Sequence, residues 1–157
     1  MKLISSTAGV LILLAFFVIL SSGPAGAGEL NWNDYTKGME IGEQLEKKIF
    51  INFYAGWCKY CHKLEKETFG DQTVADYLSE NFVLIRVNAD QNKDLATSYS
   101  VRGLPMSWFV DHSGKKIGPL PGFVPPETFL AILKYVTTES YKKMKFQEFM
   151  DKGLNKQ

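Results

Sequence analysis

Phe50-Ile51-Asn52-Phe53-Tyr54-Ala55-Gly56-Trp57-Cys58-Lys59-Tyr60-Cys61-His62 is the stretch around which the chain is organised. Ile49 to Tyr54 is apolar and β-prone, which predicts a strand. Its apolar residues fall on both faces, as in a central strand of a covered sheet, with Asn52 the exception. Ala55-Gly56 supplies a turn, and a helical pattern starts near Cys58 and runs to about Glu67. Cys58 and Cys61 are the only cysteines in the chain. At i and i+3 they share one helical face, within bridging distance.

A Cys-x-x-Cys pair followed by His62 has several uses. A structural staple is one, but a bridge between i and i+3 closes almost the smallest loop possible and constrains little of the unfolded chain. A c-type haem attachment site has the same spacing, with His62 as axial ligand and His112 or a methionine opposite. Against it, a strand leads straight into the motif, and a hairpin follows downstream. A metal site of Cys58, Cys61 and His62 has no fourth ligand placed by the sequence. A redox dithiol needs only the two thiols on the helix turn. The haem or metal carrier stays beside it as the alternative.

The rest of the chain narrows the class. Its length suits one domain with a real core. Eighteen basic and 17 acidic residues leave a net charge of +1, with no basic stripe that would suit nucleic acid. Met1-Lys2, the apolar run Val10 to Leu20 and Ala25-Gly26-Ala27 have the layout of a secretory signal peptide over residues 1–27. The competing reading is an uncleaved anchor over residues 8–20, which falls short of the roughly 20 apolar residues a spanning helix wants. The mature chain is then residues 28–157, exported to a compartment where disulfides persist.

Further elements follow in order. Asp34 caps a helix from Tyr35 to about Lys48, with Tyr35, Met39, Ile41 and Leu45 as its apolar stripe and lysines at its end; Gly38 and Gly42 weaken it. Asp71 caps a helix over Gln72 to Glu80. Phe82 to Asn88 is a second strand, apolar except for Arg86. Asn92 to Tyr99 is a short helix. Met106 to Val110 and Lys115 to Leu120 form a hairpin around Asp111-His112-Ser113-Gly114. Pro126 opens the helix carrying Phe129, Ile132, Leu133 and Val136. Tyr141 to Lys152 is one amphipathic tail. The order predicts an α/β fold with a mixed central sheet, helices on both faces and extra helices at each end.

Several residues in this order resemble the thioredoxin superfamily: the strand into Trp57-Cys58-x-x-Cys61, then Gly103-Leu104-Pro105 before a strand, then Gly122 before the last core helix. Tyr54-Ala55-x-Trp57-Cys58-x-x-Cys61-x-x-x-Glu65, Thr68-Phe69 and Gly122-Phe123 are similar to its exported branch, which includes the C-terminal domain of the DsbD thiol reductase. The resemblance implies a thioredoxin-like core over about 33–137 and a helical extension over 138–157. It implies a thiol:disulfide oxidoreductase acting on protein thiols and disulfides, without a cofactor, as a soluble periplasmic monomer. Its electrons would come from a membrane thiol reductase. A non-catalytic adaptor docking through the Pro105 face is the alternative within the same fold.

In that family the proline at the position of Pro105 is cis and lies against the dithiol. Cys58, at the helix start, is expected to be the nucleophilic thiolate, with Lys59 adding positive charge. Cys61 is expected to be more buried and to act second. Trp57, Leu104, Pro105 and Gly122 would face the partner. The family's buried Asp near the second cysteine is Asn52 here, which cannot accept a proton at working pH. Glu65, four residues after Cys61, is the carboxylate expected to relay protons instead. Arg86, a charge within an apolar strand, needs a partner and is expected to approach Glu65 or Asn52.

Overall fold

The structure, a computed structural model, describes residues 30–153. The signal peptide expected over residues 1–27 and the last few residues of the tail lie outside them. The elements are α1 (Tyr35–Gln44), β1 (Lys48–Tyr54), α2 (Lys59–Lys63) running into a π-helical segment (Leu64–Phe69), α3 (Gln72–Asn81), β2 (Phe82–Asn88), α4 (Lys93–Ser98), β3 (Met106–Val110), β4 (Lys116–Pro121), α5 (Pro126–Thr137), a 3-10 turn (Ser140–Lys142) and α6 (Phe146–Asp151).

The sheet order is β2-β1-β3-β4. β1 pairs in parallel with β2 and antiparallel with β3, and β3 pairs antiparallel with β4. Side chains alternate along β1 because a strand's period is two. Phe50 points into one core, with Leu64, Phe69, Leu78, Phe109, Phe129 and Leu133. Ile49, Ile51 and Phe53 point into the other, with Val83, Ile85, Val87, Tyr99 and Val110. Helices therefore cover both faces, and β1, buried on both, is the central strand expected from its composition.

Three details differ from the expectations. First, α1 stops at Gln44, and Glu46 takes a left-handed backbone (φ 51°), so Lys47 and Lys48 leave the helix for the turn and strand. Leu45, expected on the apolar stripe, is 61% exposed. The residues that α1 buries are Gly38 and Gly42. A Cβ at Gly38 would lie 2.3 Å from Ile85 Cγ1, and one at Gly42 would lie 2.5 Å from Ile49 Cδ1. The glycines that cost helix propensity are what let the helix lie directly on the sheet. Second, the helix after the cysteines continues past Glu67 as the π segment to Phe69. Third, the amphipathic tail is divided between the 3-10 turn and α6. Phe149 is buried, its ring centroid 5.3 Å from that of Tyr135 on α5.

The free edge of β2 is also covered. Asn33 pairs with Ile85 in a parallel bridge, accepting from Arg86 N–H (3.1 Å) and donating its own N–H to Leu84 (2.9 Å). The bridge occupies the middle of this edge, at Leu84 and Arg86, and interrupts it as a template for another strand. At the other edge, Pro119 and Pro121 lie in β4.

Gly38→Ala is expected to lower stability despite better helix propensity. Forcing a methyl onto the fully buried Ile85 costs about 1–3 kcal/mol against a propensity gain of about 1 kcal/mol. Thermal denaturation reads the difference; a raised Tm would contradict the close packing of α1.

Candidate active site

β1 delivers Tyr54 to one end of the sheet, where Ala89 N–H bonds its carbonyl at 2.9 Å. Ala55 and Gly56 turn the chain, and Cys58 N–H closes the turn on Ala55 O at 3.1 Å. Cys58 is the N-cap of α2, and its Sγ accepts the Cys61 N–H at 3.1 Å. The two cysteines form a disulfide with Cα atoms 5.2 Å apart. Both are buried in this oxidised state, Cys58 at 4% and Cys61 at 5% exposure, so the expected difference in burial between them is not present. Ala55 completes their cluster, with Tyr54 and Leu104 packed against it.

The loop before β3 brings Leu104 to this cluster, and the Leu104–Pro105 peptide is cis. Gly122 N–H donates to Pro105 O at 2.9 Å, with φ at +79°, a conformation glycine adopts without a Cβ penalty. Thr68, in the π segment, donates its hydroxyl to Val124 O at 2.6 Å. The dithiol helix, the Pro105 loop and the Gly122 loop are thus joined by hydrogen bonds. Trp57 is 72% exposed, yet its indole N–H is held by Asp90 Oδ2 at 2.9 Å.

Arg86 meets Glu65, the first of the two partners expected for it. Nη1 and Nη2 contact Oε1 and Oε2 at 2.8 and 2.9 Å, a bidentate pair. The guanidinium carbon also lies 4.2 Å from the Tyr54 ring centroid and 5.8 Å from that of Trp32. The Arg86 hydrogen bonds, with its charge behind them, hold the Glu65 carboxyl below its ordinary range against a smaller push from desolvation. Asn52 is buried and donates to Ser107 Oγ at 3.2 Å, its register partner on β3. His62 Nε2 lies 2.9 Å from Gly56 O, tying the helix back to its own turn. Among the described residues, no three His, Cys, Asp or Glu side chains gather as a metal site.

Cys58, Cys61 and Leu104 are therefore brought together, Pro105 follows Leu104 through the cis peptide and is bonded to Gly122, and Trp57 stands exposed beside Cys58. Glu65 faces Arg86. Asp90 and Ser107 were not singled out from the sequence. Ser107 is the lone polar residue of an apolar strand, a signal that gains meaning only once the register puts it opposite Asn52. Asp90 carried no such signal.

Glu65→Gln is expected to cost about 1 kcal/mol or less at neutral pH, because the pair is bidentate but half exposed. Glu65 has a lower pKa folded than unfolded, so its contribution is present above an unfolded value of roughly 4.3 and is lost as pH falls through the folded value. Chemical denaturation against pH is expected to show wild type and Glu65→Gln converging well below pH 4. A gap that persists there would contradict the pairing.

The Thioredoxin-like domain family model matches residues 36–137. The chain is 39% identical over 100 residues to the thiol:disulfide interchange protein DsbD of Actinobacillus pleuropneumoniae, which takes in 58% of this chain and 17% of that protein. It spans less than a fifth of the length of the first curated relatives it matches. Among solved structures, a thioredoxin from Thermus thermophilus superposes with a TM-score of 0.64 at 27% identity, over 69% of this chain and 88% of that one. The oxidised C-terminal domain of Neisseria meningitidis DsbD has the same fold, with a TM-score of 0.53 at 23% identity over 69% and 98% of the two chains. The family match runs from the first turn of α1 to the last residue of α5 and takes in every strand, so the chain belongs to the thioredoxin-like domain family.

Proposed function

We propose that the protein is a thiol:disulfide oxidoreductase of the cell envelope that reduces protein disulfides through Cys58 and Cys61. The observation that carries this reading is the bond between its only two cysteines, beyond the end of the central strand and packed against Leu104, in a thioredoxin frame. In the reduced protein, the Cys58 thiolate attacks one sulfur of a partner disulfide. The partner's S–S bond breaks, and its released thiolate takes a proton from water. Cys61, having given its proton to water, attacks the Cys58 sulfur, re-forms the 58–61 disulfide and frees the partner's second thiolate. Two electrons pass from the dithiol to the partner. A second dithiol, such as that of a membrane thiol reductase, returns them.

The roles divide along the geometry. Cys58 is the nucleophile, because its sulfur already accepts the Cys61 N–H, a donor that also favours a thiolate. Pro105, Leu104, Trp57 and Gly122 border the face that a partner meets. Glu65, as an ionised partner of Arg86, is better suited to hold the helix against Tyr54 and β2 than to accept a proton from Cys61. Export rests on the leader at residues 1–27, and the periplasm with a soluble monomer is the setting that suits it; no helix among the described residues is long and apolar enough to cross a membrane.

Cys58→Ser is expected to reduce turnover of a model protein disulfide to the uncatalysed level. Cys61→Ser is expected to leave a mixed disulfide on Cys58 that mass spectrometry detects after mixing with the substrate. Retained turnover in Cys58→Ser, or a stable adduct on Cys61 instead, would contradict the assignment.

A further inference from the structure

Over the whole chain, positive and negative side chains nearly balance. Around the dithiol they do not. The helix α2 carries Lys59 at its start and Lys63 at its end, and the loop that places Leu104 against the cysteines carries Arg102. All three side chains are exposed. Lys59 and Arg102 form no ion pair among the described residues, and Lys63 reaches Glu67 only at 3.9 Å. Lys63 instead sits 4.3 Å above the Phe123 ring, beside Gly122. The one carboxylate in the adjoining loop after β2, Asp90, accepts the Trp57 indole N–H. That neutral donor leaves the Asp90 charge in place, so the mouth of the site carries three exposed cations against the Asp90 and Glu67 carboxylates, a net positive charge set among exposed aromatic surface, with Trp57 at 72% and Tyr60 at 60% exposure.

We infer that this face selects acidic partners: protein segments whose reactive cysteine is flanked by carboxylates. The inference rests on the oxidoreductase reading and adds a substrate class to it. Opposite charge at the mouth raises the encounter rate with such a segment and orients it before the sulfurs meet, and salt screens the effect. The aromatic surface supplies contact area that does not depend on charge.

Three peptide disulfides, identical except for Glu, Ser or Lys on both sides of the cysteine, test this against the reduced full-length chain. At low salt the Glu peptide is expected to react about fivefold faster than the Ser peptide and the Lys peptide more slowly than either, with the three rates converging near 0.5 M salt, where the Debye length is only a few ångströms. Arg102→Glu, a change outside the dithiol helix, is expected to shrink the Glu-to-Ser ratio. Equal rates for all three peptides at low salt, or a faster Lys peptide, would overturn the charge selection and leave the chemistry standing. No exchange with any peptide, the neutral one included, would overturn the oxidoreductase reading and the selection with it.

Discussion

β1 is paired on both sides and buried on both faces, and everything chemical hangs from its end. Parallel pairing to β2 and antiparallel pairing to β3 fix the strand from Lys48 to Tyr54, residue by residue. Phe50 anchors it in one core, and Ile49, Ile51 and Phe53 anchor it in the other. A strand held in this way cannot slide without moving its whole apolar set to the wrong face. The turn after Tyr54 therefore starts from a fixed point. Cys58 and Cys61 inherit that position, while Leu104 and Pro105 come from the start of the strand next door. Neighbouring strands bring together a motif and a loop that lie more than forty residues apart.

Arg86 reinforces this corner from the other side of β1. It pairs with Asn52 in register, yet its guanidinium reaches the Tyr54 ring and the Glu65 carboxylate. One side chain thus touches the last residue of the central strand and the helix that carries Cys61. The pairing also explains why a charge is tolerated on a strand that is otherwise buried: its ends are met by a carboxylate and aromatic faces rather than by hydrocarbon alone. The same contact gives Glu65 a charged partner, and the holding role proposed for it rests on that pairing. A carboxyl held below its ordinary range keeps its charge at neutral pH and binds a proton poorly.

The strands and the dithiol were legible because their signals are local. Apolar runs bounded by Gly, Pro, Asn and Asp mark β2, β3 and β4 to within a residue or two, and Asp71 caps α3 as its sequence implies. The Cys58-x-x-Cys61 and Gly103-Leu104-Pro105 motifs were readable for the same reason. Contacts between elements were less so. On α1 the apolar stripe is legible, since Tyr35, Met39 and Ile41 pack against the core, but the closest approach to the sheet is made by Gly38 and Gly42, where Ile85 and Ile49 leave no room for a side chain. Leu45 then falls beyond the helix end, exposed. Asn52 stood out as a polar residue in a buried strand, but its partner Ser107 depends on a register that no single strand reveals. The hydrogen bond of Trp57 to Asp90 depends likewise on where two loops meet.

Everything proposed for the site requires the Cys58–Cys61 bond to be a reversible redox centre rather than a staple. Equilibrating the purified chain against a series of thiol–disulfide buffers, and measuring the fraction of the two cysteines that resists alkylation, tests it directly. A redox centre is expected to give a single two-electron transition within the range of thioredoxin-fold exchange proteins, between about −120 and −270 mV. A bond that stays oxidised until potentials below roughly −300 mV, where structural disulfides of secreted proteins lie, would contradict it.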